Sequence, residues 1–376
     1  MTKPTAVQIT QSREELLARA GHAPDALTMF AEASAQLRRL VPYDAAVWRA
    51  TDPVTGLMTS PIRTENLDDE GCAVYWGCEL FTENVNLFRD LARAPVPVVS
   101  LRQATDDSPA RSTLYHDFMR PRGFGDEMRA VMRVAGRPRG HISLFRARGR
   151  AAFDQRENKI VESVTIPLAR RLRSFDEPRS EPLPDAEHGP GLLLFDAQDR
   201  LLSVNDDARS FLDELPTGPG VVTALGVRVP AWIHSTAAQA RAVAQDRGRG
   251  TARVRARTRA GRWLVCHASC LRDASGMLGA AAVVIEPAKT SEIVPLVMDA
   301  YELSEREVQV TQYIARGLST AEIAKQLFLS PHTVRDHIKA IFEKVGVSSR
   351  GELVGRIFTH FYAPLADEKI TRVQDS

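Results

Sequence analysis

Residues 303–354 read LSEREVQVTQYIARGLSTAEIAKQLFLSPHTVRDHIKAIFEKVGVSSRGELV, and this stretch decides the fold of the C-terminal part of the chain. It contains four serines that predict the start of a helix, because a glutamate follows three residues later or a proline follows directly. These serines are Ser304, Ser319, Ser330 and Ser349. Gly317 and Gly346 predict left-handed caps that end the first and third helices. Four helices joined by turns this short are typical of a helix-turn-helix protein.

The third predicted helix, Ser330–Val345, has an apolar back and a polar front. At 100° per residue its apolar residues fall on one stripe, which consists of Val334, Ile338, Ile341 and Val345. The opposite side carries His332, Arg335, Asp336 and Lys339. On the second helix, Ala324 is small enough for the two helices to cross closely. We therefore predict that the front of the third helix enters the major groove of DNA.

The residue types on this front suit recognition of bases and phosphates. Arginine and lysine donate to the O6 and N7 acceptors of guanine, and aspartate accepts from cytosine. Hydroxyl groups and the free N–H groups of a helix start suit phosphate oxygens. His337 lies on the flank of the helix, where a packing role is an equally good interpretation. The predicted DNA-binding residues are Ser330, His332, Thr333, Arg335, Asp336, His337 and Lys339.

With its capped helices in this order, the segment closely resembles the LuxR-type DNA-binding domain over roughly residues 299–362. The resemblance implies a four-helix domain whose third helix reads the major groove and whose fourth helix often helps to pair two copies. It implies base contacts from Arg335, Asp336 and Lys339, with Ser330, Thr333 and His337 in contacts to the DNA backbone or in supporting positions. A sigma-factor region has a similar helix-turn-helix, but the strand-rich blocks upstream do not fit one.

The last predicted helix, Ser349–Phe361, predicts how two copies pair. Leu353, Ile357 and Phe361 follow one another at four-residue spacing, a stripe that one small domain is not expected to bury fully. We therefore predict a homodimer on an inverted repeat with half-sites about one helical turn apart, ~10 bp.

Two composition breaks divide the rest of the chain. Asp176–Gly191 is rich in proline and acidic residues, which predicts a linker at residues 176–190. Pro287–Pro295 predicts a second, shorter break. Three blocks follow, namely residues 1–175, 191–287 and 296–376.

The first block combines helices with strands. The spacing of apolar residues predicts helices at Ala26–Leu40 and Asp154–Phe175. Between them, Arg129–Val134 and Gly140–Arg146 predict two strands, joined by a turn with Gly136 and Pro138. The opening helix, VPYDAAVWRATDPVTG (41–56), RGHISLFRARGRAAFDQRE (139–157) and the closing helix resemble a GAF domain.

The second block predicts a small antiparallel sheet. GLLLFDAQDRLLSVNDDARSFL (191–212) predicts two strands around a turn at Asp196–Asp199, then a helix from about Asn205. TARVRARTRAGRWLVCHASCLRD (251–273) and MLGAAAVVIEP (277–287) predict two strands around Gly261 and a third after Gly276. This arrangement resembles a PAS domain.

Composition and charge exclude several classes of protein. Of the 376 residues, 49 are Lys or Arg and 47 are Asp or Glu, so the net charge of 49 − 47 = +2 excludes a protein that coats polyanions, and any basic surface is local. No apolar run reaches the 18 or so residues of a membrane span, and the N-terminus lacks the features of a signal peptide. The four cysteines, Cys72, Cys78, Cys266 and Cys270, are too few for a disulfide framework, and buried thiols are favoured over a metal site. We therefore expect a cytoplasmic protein.

The first block also offers a candidate ligand pocket. Cys72, Tyr75, Trp76 and Cys78 lie within one short stretch, and His141 lies on a neighbouring predicted strand. Aromatic residues with few polar groups are typical of small-molecule pockets, so Tyr75, Trp76 and His141 are the predicted ligand residues. The alternative, which we weigh more heavily, is that Tyr75 and Trp76 are ordinary core.

A basic run in the second block has two interpretations. Arg241–Arg262 contains eight arginines and one acidic residue, Asp246, or 8 − 1 = +7. Because arginines alternate with small residues along it, a strand with one solvated face is favoured. Attraction of phosphate, or of the acidic linker, is the other interpretation.

Together these observations predict a multidomain chain. Its parts are an α+β GAF-like domain, an α+β PAS-like domain and an all-α four-helix LuxR-type DNA-binding domain, at residues 1–175, 191–290 and 296–362, with a tail at 363–376. The predicted function is transcription regulation by sequence-specific DNA binding, under control of a small ligand or another signal. We expect no catalysis, no cofactor, no metal and no membrane association. The expected partners are double-stranded DNA, a second copy of the chain, a small effector and, if the protein is an activator, RNA polymerase. The alternatives are a constitutive DNA-binding dimer whose upstream domains are a scaffold, or an enzyme with an accessory DNA domain.

Overall fold

In the computed structural model, the described residues are 6–68, 71–83, 85–177, 189–272 and 274–359. The chain forms two compact units, which consist of residues 1–172 with 188–287, and of residues 173–187 with 288–376. We call them the N-terminal unit and the C-terminal unit. The N-terminal unit contains both predicted upstream blocks.

The first block is built around a five-stranded antiparallel sheet. Its strands are β1 (Ala45–Thr51), β2 (Met58–Glu65), β3 (Val98–Ser100), β4 (Phe124–Val134) and β5 (Arg137–Ala147), in the order β2-β1-β5-β4-β3. The helices are α1 (Ala6–His22), α2 (Ala26–Leu40), α3 (Gly71–Gly77), α4 (Phe88–Leu91), α5 (Leu101–Ala104) and α6 (Gln155–Ser174). Shorter helical turns lie at Cys78–Thr82, Pro109–Arg111 and Tyr115–Met119. This confirms the α+β class and the predicted helix at Ala26–Leu40.

Neighbouring residues of strand β1 lie on opposite faces of this sheet. On one face Trp48 is fully buried against Phe30 of α2, with ring centroids 6.1 Å apart. On the other face Arg49 is also buried, at 1% exposure, beside the rings of α3. The predicted turn between the strands is corrected in one detail: Pro138 lies inside β5, because Ala135 and Gly136 alone take the left-handed conformation that reverses the chain.

The second block repeats this strand order. Its strands are β6 (Gly191–Phe195), β7 (Leu201–Val204), β8 (Gly220–Val222), β9 (Arg228–Pro230), β10 (Arg253–Arg257), β11 (Trp263–Arg272) and β12 (Leu278–Pro287). β10-β11-β12-β6-β7 form a second five-stranded antiparallel sheet, and β8 and β9 form a separate hairpin. Its helices are α7 (Asp206–Glu214), capped by Asn205 as predicted, and α8 (Ala231–Ala244), which packs on β11 and β12. Without β8 and β9, the order read from β7 to β10 is that of the first sheet.

The two blocks of the N-terminal unit are joined by a buried ion pair. Asp52, directly after β1, is fully buried, and Arg255 of β10 is 9% exposed. The guanidinium donates to both carboxylate oxygens, at 2.8 and 2.9 Å, and the Arg255 amide donates to the same carboxylate at 3.0 Å. Thr59 of β2 also donates to the Arg255 carbonyl at 2.7 Å. These bonds fix the edge of the second sheet against the first block.

The C-terminal unit is helical. It consists of α9 (Thr290–Ala300), α10 (Glu305–Ala315), α11 (Thr320–Leu327), α12 (Pro331–Val345), α13 (Arg350–Val354) and a π-helical turn, Gly355–Thr359. This confirms the predicted all-α class of this part. The predicted break at Pro287–Pro295 begins where the two units divide, after Pro287, but most of it is helical, because α9 begins at Thr290 and includes Pro295. Glu292 accepts the Lys289 amide at 3.1 Å, which stabilises the start of the helix despite its proline.

The last predicted helix, Ser349–Phe361, also needs correction. α13 ends at Val354 and a π-helical turn follows, while Phe361 lies outside the described residues. Leu353 and Ile357 are fully buried within the single chain, and α9 packs against the terminal turn. The expectation that this stripe stays partly exposed is therefore wrong for its two described members, because the missed helix α9 helps to cover it.

Candidate nucleic-acid interface

The first turn of α12 is held by a side-chain cap. Ser330 Oγ accepts the Thr333 amide at 3.0 Å and lies 2.9 Å from Thr333 Oγ1. Pro331 occupies the first helical position, where no N–H partner is needed. The amides of the first turn, the exposed hydroxyl of Ser330 and that of the half-buried Thr333 therefore lie at one helix end, which suits an anion.

The back of α12 packs as its sequence predicts. Val334 and Ile341 are fully buried, Val345 is 2% exposed, and Ile338 is half-buried. The helix packs against α10 and α11, and Ala324 of α11 is 3% exposed. Buried apolar area of this kind fixes the orientation of a helix, so the opposite face is presented to solvent.

Two long basic side chains secure the helices around α12. Lys344, near its end, donates to Glu307 Oε2 of α10 at 2.6 Å and to the Glu302 carbonyl at 3.0 Å. Arg350 of α13 donates to the Leu318 carbonyl and to Thr320 Oγ1, both at 2.7 Å. These two residues stabilise the fold and are not free to bind DNA.

The front of α12 brings the predicted base-contacting residues together. Arg335 and Lys339 lie one turn apart and are exposed, with Lys339 at 79%. His332 Nδ1 lies 2.9 Å from Asp336 Oδ2, and both side chains are exposed. Within the described part of the chain, Arg335 has no hydrogen bond or ion pair, so its five donors are available to an outside partner. Lys339 has one weak pairing, 4.0 Å from Glu343 Oε1.

His337 lies at the edge of this surface. It is half-buried, unlike the exposed His332 on the same helix. This position agrees with the flank that the helical spacing predicts, and the choice between a packing role and a DNA contact stays open.

The segment 301–356 as a whole carries little net charge. Residues 301–356 contain eight Lys or Arg and seven Asp or Glu, so the net charge is 8 − 7 = +1. Three of the acids accept backbone N–H groups at helix starts, which places them at positive helix ends: Glu307, Glu322 and Glu352. On α12 itself, the exposed cations Arg335 and Lys339 lie among two exposed acids, Asp336 and Glu343.

The turn before α12 contains a residue that the sequence analysis missed. Phe328 adopts a left-handed conformation, with φ 56°, and its side chain is 95% exposed. An aromatic residue at such a position is uncommon, since glycine and asparagine tolerate it better. The signal was present in the sequence, because the tight turn between α11 and Ser330 contains neither glycine nor asparagine.

The three predicted ligand residues are all buried in the first block. Tyr75 and Trp76 line a cavity of about 20 Å³, and Tyr75 donates to Glu127 Oε1 at 2.8 Å. His141 is stacked on Phe88, with ring centroids 4.2 Å apart, and is not among the cavity's lining residues. Burial, reinforced by the cations of Arg49 and Arg129, lowers the pKa of His141 well below its ordinary value, so the ring is neutral.

Arg49 is the cavity residue that sequence reasoning missed. It is the cross-strand partner of His141 in the sheet and lines the same cavity as Tyr75 and Trp76. A charged residue on the inward side of a buried strand was the available signal, between Val47 and Thr51 in AAVWRAT.

Cys78 and Cys266 have the environment of structural thiols, whereas the side chain of Cys72 lies outside the described part of the structure. Cys266 is fully buried, and burial raises the pKa of its thiol. Burial likewise raises the pKa of Cys78, for which the acids Asp117 and Glu83 reinforce the effect. Within the described residues, no group of His, Cys, Asp and Glu has an arrangement that would hold a metal ion.

The arginines of Arg241–Arg262 are largely committed to internal contacts. Arg241 binds Asp199 and the Gly279 carbonyl, Arg255 binds Asp52, and Arg262 binds Glu214. Arg259 donates to the carbonyls of Leu215 and Asp213, at 2.8 and 2.5 Å. The favoured interpretation, a strand whose solvated face carries Arg253, Arg255, Arg257 and Arg259, is therefore wrong for Arg255, which is buried against Asp52, while Arg259 lies beyond the end of β10.

Two capped helices that cross at a short turn, with a packed back and an exposed polar front, define the helix-turn-helix class of DNA-binding protein. Residues 301–356 match the family described as bacterial regulatory proteins, luxR family. This part of the chain is therefore a LuxR-type helix-turn-helix domain.

Curated relatives match over this domain. The Fimbriae Z protein of Salmonella typhimurium is 47% identical over 58 residues, which are 15% of this chain and 28% of that protein. The transcriptional regulatory protein UhpA of Escherichia coli is 46% identical over 56 residues, 15% of this chain and 29% of the relative. The chain thus spans less than a third of the length of these relatives.

Solved structures resemble larger parts of the chain only weakly. Escherichia coli SdiA has a TM-score of 0.30 at 14% identity, covering 93% of this chain and 97% of that one. A GAF domain of a phosphoenolpyruvate-protein phosphotransferase from Coxiella burnetii has a TM-score of 0.33 at 14% identity, covering 45% and 95%. Among the described residues, no helix has the length and apolar character that crossing a bilayer requires.

Proposed function

We propose that this chain regulates transcription by binding double-stranded DNA at specific sequences through α12. The observation that carries the proposal is the free front of a helix whose back is fully packed. Arg335 and Lys339 are exposed there beside Asp336, while Lys344, the other cation of the helix, is bound to Glu307. In this role Arg335 and Lys339 contact guanine, and Asp336 accepts from cytosine through oxygens that His332 leaves free.

Contacts to the DNA backbone complete the proposed interface. Ser330 and Thr333 present hydroxyl groups at the start of α12, beside amides that attract phosphate. Such contacts position the helix without reading bases. His332 and His337 are proposed as supporting residues, His332 by holding the Asp336 carboxylate.

We also propose that the regulator is a cytoplasmic homodimer on an inverted repeat, and that it contacts RNA polymerase if it activates transcription. The two-fold arrangement follows from the half-site geometry of helix-turn-helix proteins. Because Leu353 and Ile357 are buried in the single chain, we assign no pairing role to them.

The N-terminal unit is proposed to sense a signal. Its GAF-like and PAS-like blocks, at residues 1–175 and 191–290, contribute a cavity with Tyr75 and Trp76. A ligand there changes DNA affinity only if it binds two arrangements of the dimer unequally. The linker, residues 176–190, and the tail, residues 363–376, complete the proposed division of the chain.

The test is binding of the purified full chain to fragments of genomic DNA, followed by sedimentation of the complex. The proposal expects a subset of fragments bound at least a thousandfold more tightly than the rest, a ratio typical of specific recognition, and two chains per bound site. Equal affinity for all fragments would contradict sequence-specific recognition. One chain per site would contradict the homodimer.

A further inference from the structure

A small cavity lies where the two blocks of the N-terminal unit meet. Its walls come from β1, β2 and α3 of the first block and from Pro219 and Ala231 of the second. Most of the lining is apolar or aromatic, including Ile62, Trp76 and Phe118. We call it the junction cavity.

The junction cavity contains a cation that the protein leaves without a carboxylate partner. Arg49 lines it and is 1% exposed. The only hydrogen bond of its guanidinium within the described residues is to Ser143 Oγ, at 3.3 Å, and its Nε has no partner. Burial of a charge is costly unless it is paired, so a guanidinium in this state favours an anion.

Among the described residues no carboxylate hydrogen-bonds to Arg49, although the charge of Glu79 attracts it and Asp68 also lines the cavity. Glu79 and Glu127 are both buried, but both bind Arg129, at 2.7 and 3.0 Å. Three rings surround the Arg49 guanidinium instead, with the centroids of Tyr75, Trp76 and Phe88 at 5.3, 4.8 and 4.4 Å. Cation–π contacts of this kind stabilise the charge but leave its N–H groups unbonded.

The volume of the junction cavity limits what fits. It measures about 20 Å³, whereas a single water needs at least about 10–15 Å³. A drug-sized molecule is therefore excluded, and only a group of very few heavy atoms comes into question. A carboxylate is the planar anion that matches the fork of a guanidinium, with two parallel N–H···O bonds.

We propose that the junction cavity binds a small monocarboxylate, of the size of formate or acetate, whose oxygens pair with Arg49. The bound anion supplies the missing partner of a buried cation, and the aromatic walls exclude water from the pair. This names a ligand class for the sensing role and rests on the proposed function for its regulatory meaning. Because Pro219 and Ala231 close the cavity from the second block, the site is complete only when the two blocks are docked.

The direct test is a titration of the full chain, without DNA, with carbon-13 formate and carbon-13 acetate followed by NMR. The proposal expects saturable binding of one anion per chain for at least one of the two. Arg49→Gln should weaken binding at least tenfold because it removes the charge, and Ala231→Leu should do the same because it fills the cavity. Arg247→Gln, which removes an exposed arginine of the same unit, should leave binding unchanged.

Each outcome decides the proposal. Absence of saturable binding of both anions to the folded wild-type chain overturns it, as does undiminished binding to folded Arg49→Gln or Ala231→Leu. If Arg49→Gln fails to fold, the comparison of Ala231→Leu with Arg247→Gln decides alone. None of these results depends on DNA, so failure here leaves the DNA-binding proposal standing, and failure to bind DNA leaves the anion site standing.

Discussion

At the scale of single residues, Phe328 shows the cost of a tight turn. Its backbone lies in the left-handed region, and its ring is 95% exposed and gains little from packing. Leu329 and Ser330 follow at once, so the turn has no room to relax before the cap of α12. Backbone strain therefore sits next to the helix that we propose to read DNA.

Replacing Phe328 with asparagine should stabilise the C-terminal unit. Asparagine tolerates the left-handed region, so Phe328→Asn should raise the free energy of unfolding by up to about 1 kcal/mol. The measurement is amide hydrogen exchange of α11 and α12 in the full chain. Phe328→Val is the matched control and should lower stability, since a β-branched residue suits a positive φ least. Lower stability of the asparagine variant would show that the phenyl ring makes a stabilising contact.

At the scale of secondary-structure elements, the sequence correctly predicted the helix caps, which depend only on residues close together in the chain. Ser304, Ser319, Ser330 and Ser349 all accept the predicted amide three residues on, because capping depends only on neighbours in the chain. Asn205 caps α7 for the same reason. The faces of α12 also followed from helical spacing alone, with Val334 buried and Arg335 exposed.

Features that depend on contacts between residues far apart in the sequence were not predicted. Pro295 favoured a break, yet α9 forms and packs against the terminal turn that contains Ile357. The same lack of tertiary information hid the burial of Leu353 and the pairing of Arg255 with Asp52. The exposed front of α12 was therefore predictable from the sequence. The burial of Arg49 without a hydrogen-bonded carboxylate was not, because several elements together form its environment.

The pair Lys344–Glu307 should fix α12 against α10 in a pH-dependent way. Burial alone would raise the pKa of Glu307, but the bonds from Lys344 and Ser304 outweigh it and lower that pKa below its ordinary 4.5. The carboxylate therefore stabilises the folded unit above about pH 4.5, and this stabilisation fades as the pH falls through the lowered pKa.

Lys344→Met should consequently destabilise the C-terminal unit by about 1 kcal/mol at pH 7, a figure reduced for the partial exposure of the lysine. Hydrogen exchange of α12 measures it, and the difference from wild type should shrink below pH 4.5. Lys325→Met, which removes an exposed lysine of α11, should have little effect at either pH. A loss that is the same at pH 7 and pH 3.5 would contradict the role of the Glu307 carboxylate.

At the scale of the whole molecule, the N-terminal unit is one compact unit that contains two five-stranded sheets with the same strand order. Asp52 and Arg255 are the buried charges that join its two blocks. All four tryptophans, Trp48, Trp76, Trp232 and Trp263, lie within this unit, so their fluorescence follows its unfolding.

Asp52→Asn should lower the stability of this unit by about 3–5 kcal/mol, because it leaves the guanidinium of Arg255 buried without a counter-charge. Urea unfolding followed by tryptophan fluorescence measures the change. Arg38→Gln breaks the more exposed pair with Glu65 in the same unit and should cost no more than about 1 kcal/mol. Equal losses for the two variants would show that the buried pair does not hold the blocks together.

The reading of DNA by α12 is tested most directly by selecting bound sequences from random DNA with the full chain and with Arg335→Ala. We predict one enriched inverted-repeat motif for the wild type, and for Arg335→Ala a preference relaxed at one base pair of each half-site, at a cost of about 1–3 kcal/mol. Arg306→Ala, which removes an exposed arginine of α10, should select the wild-type motif unchanged. No enriched motif for the wild type, or the same motif for Arg335→Ala, would contradict the account.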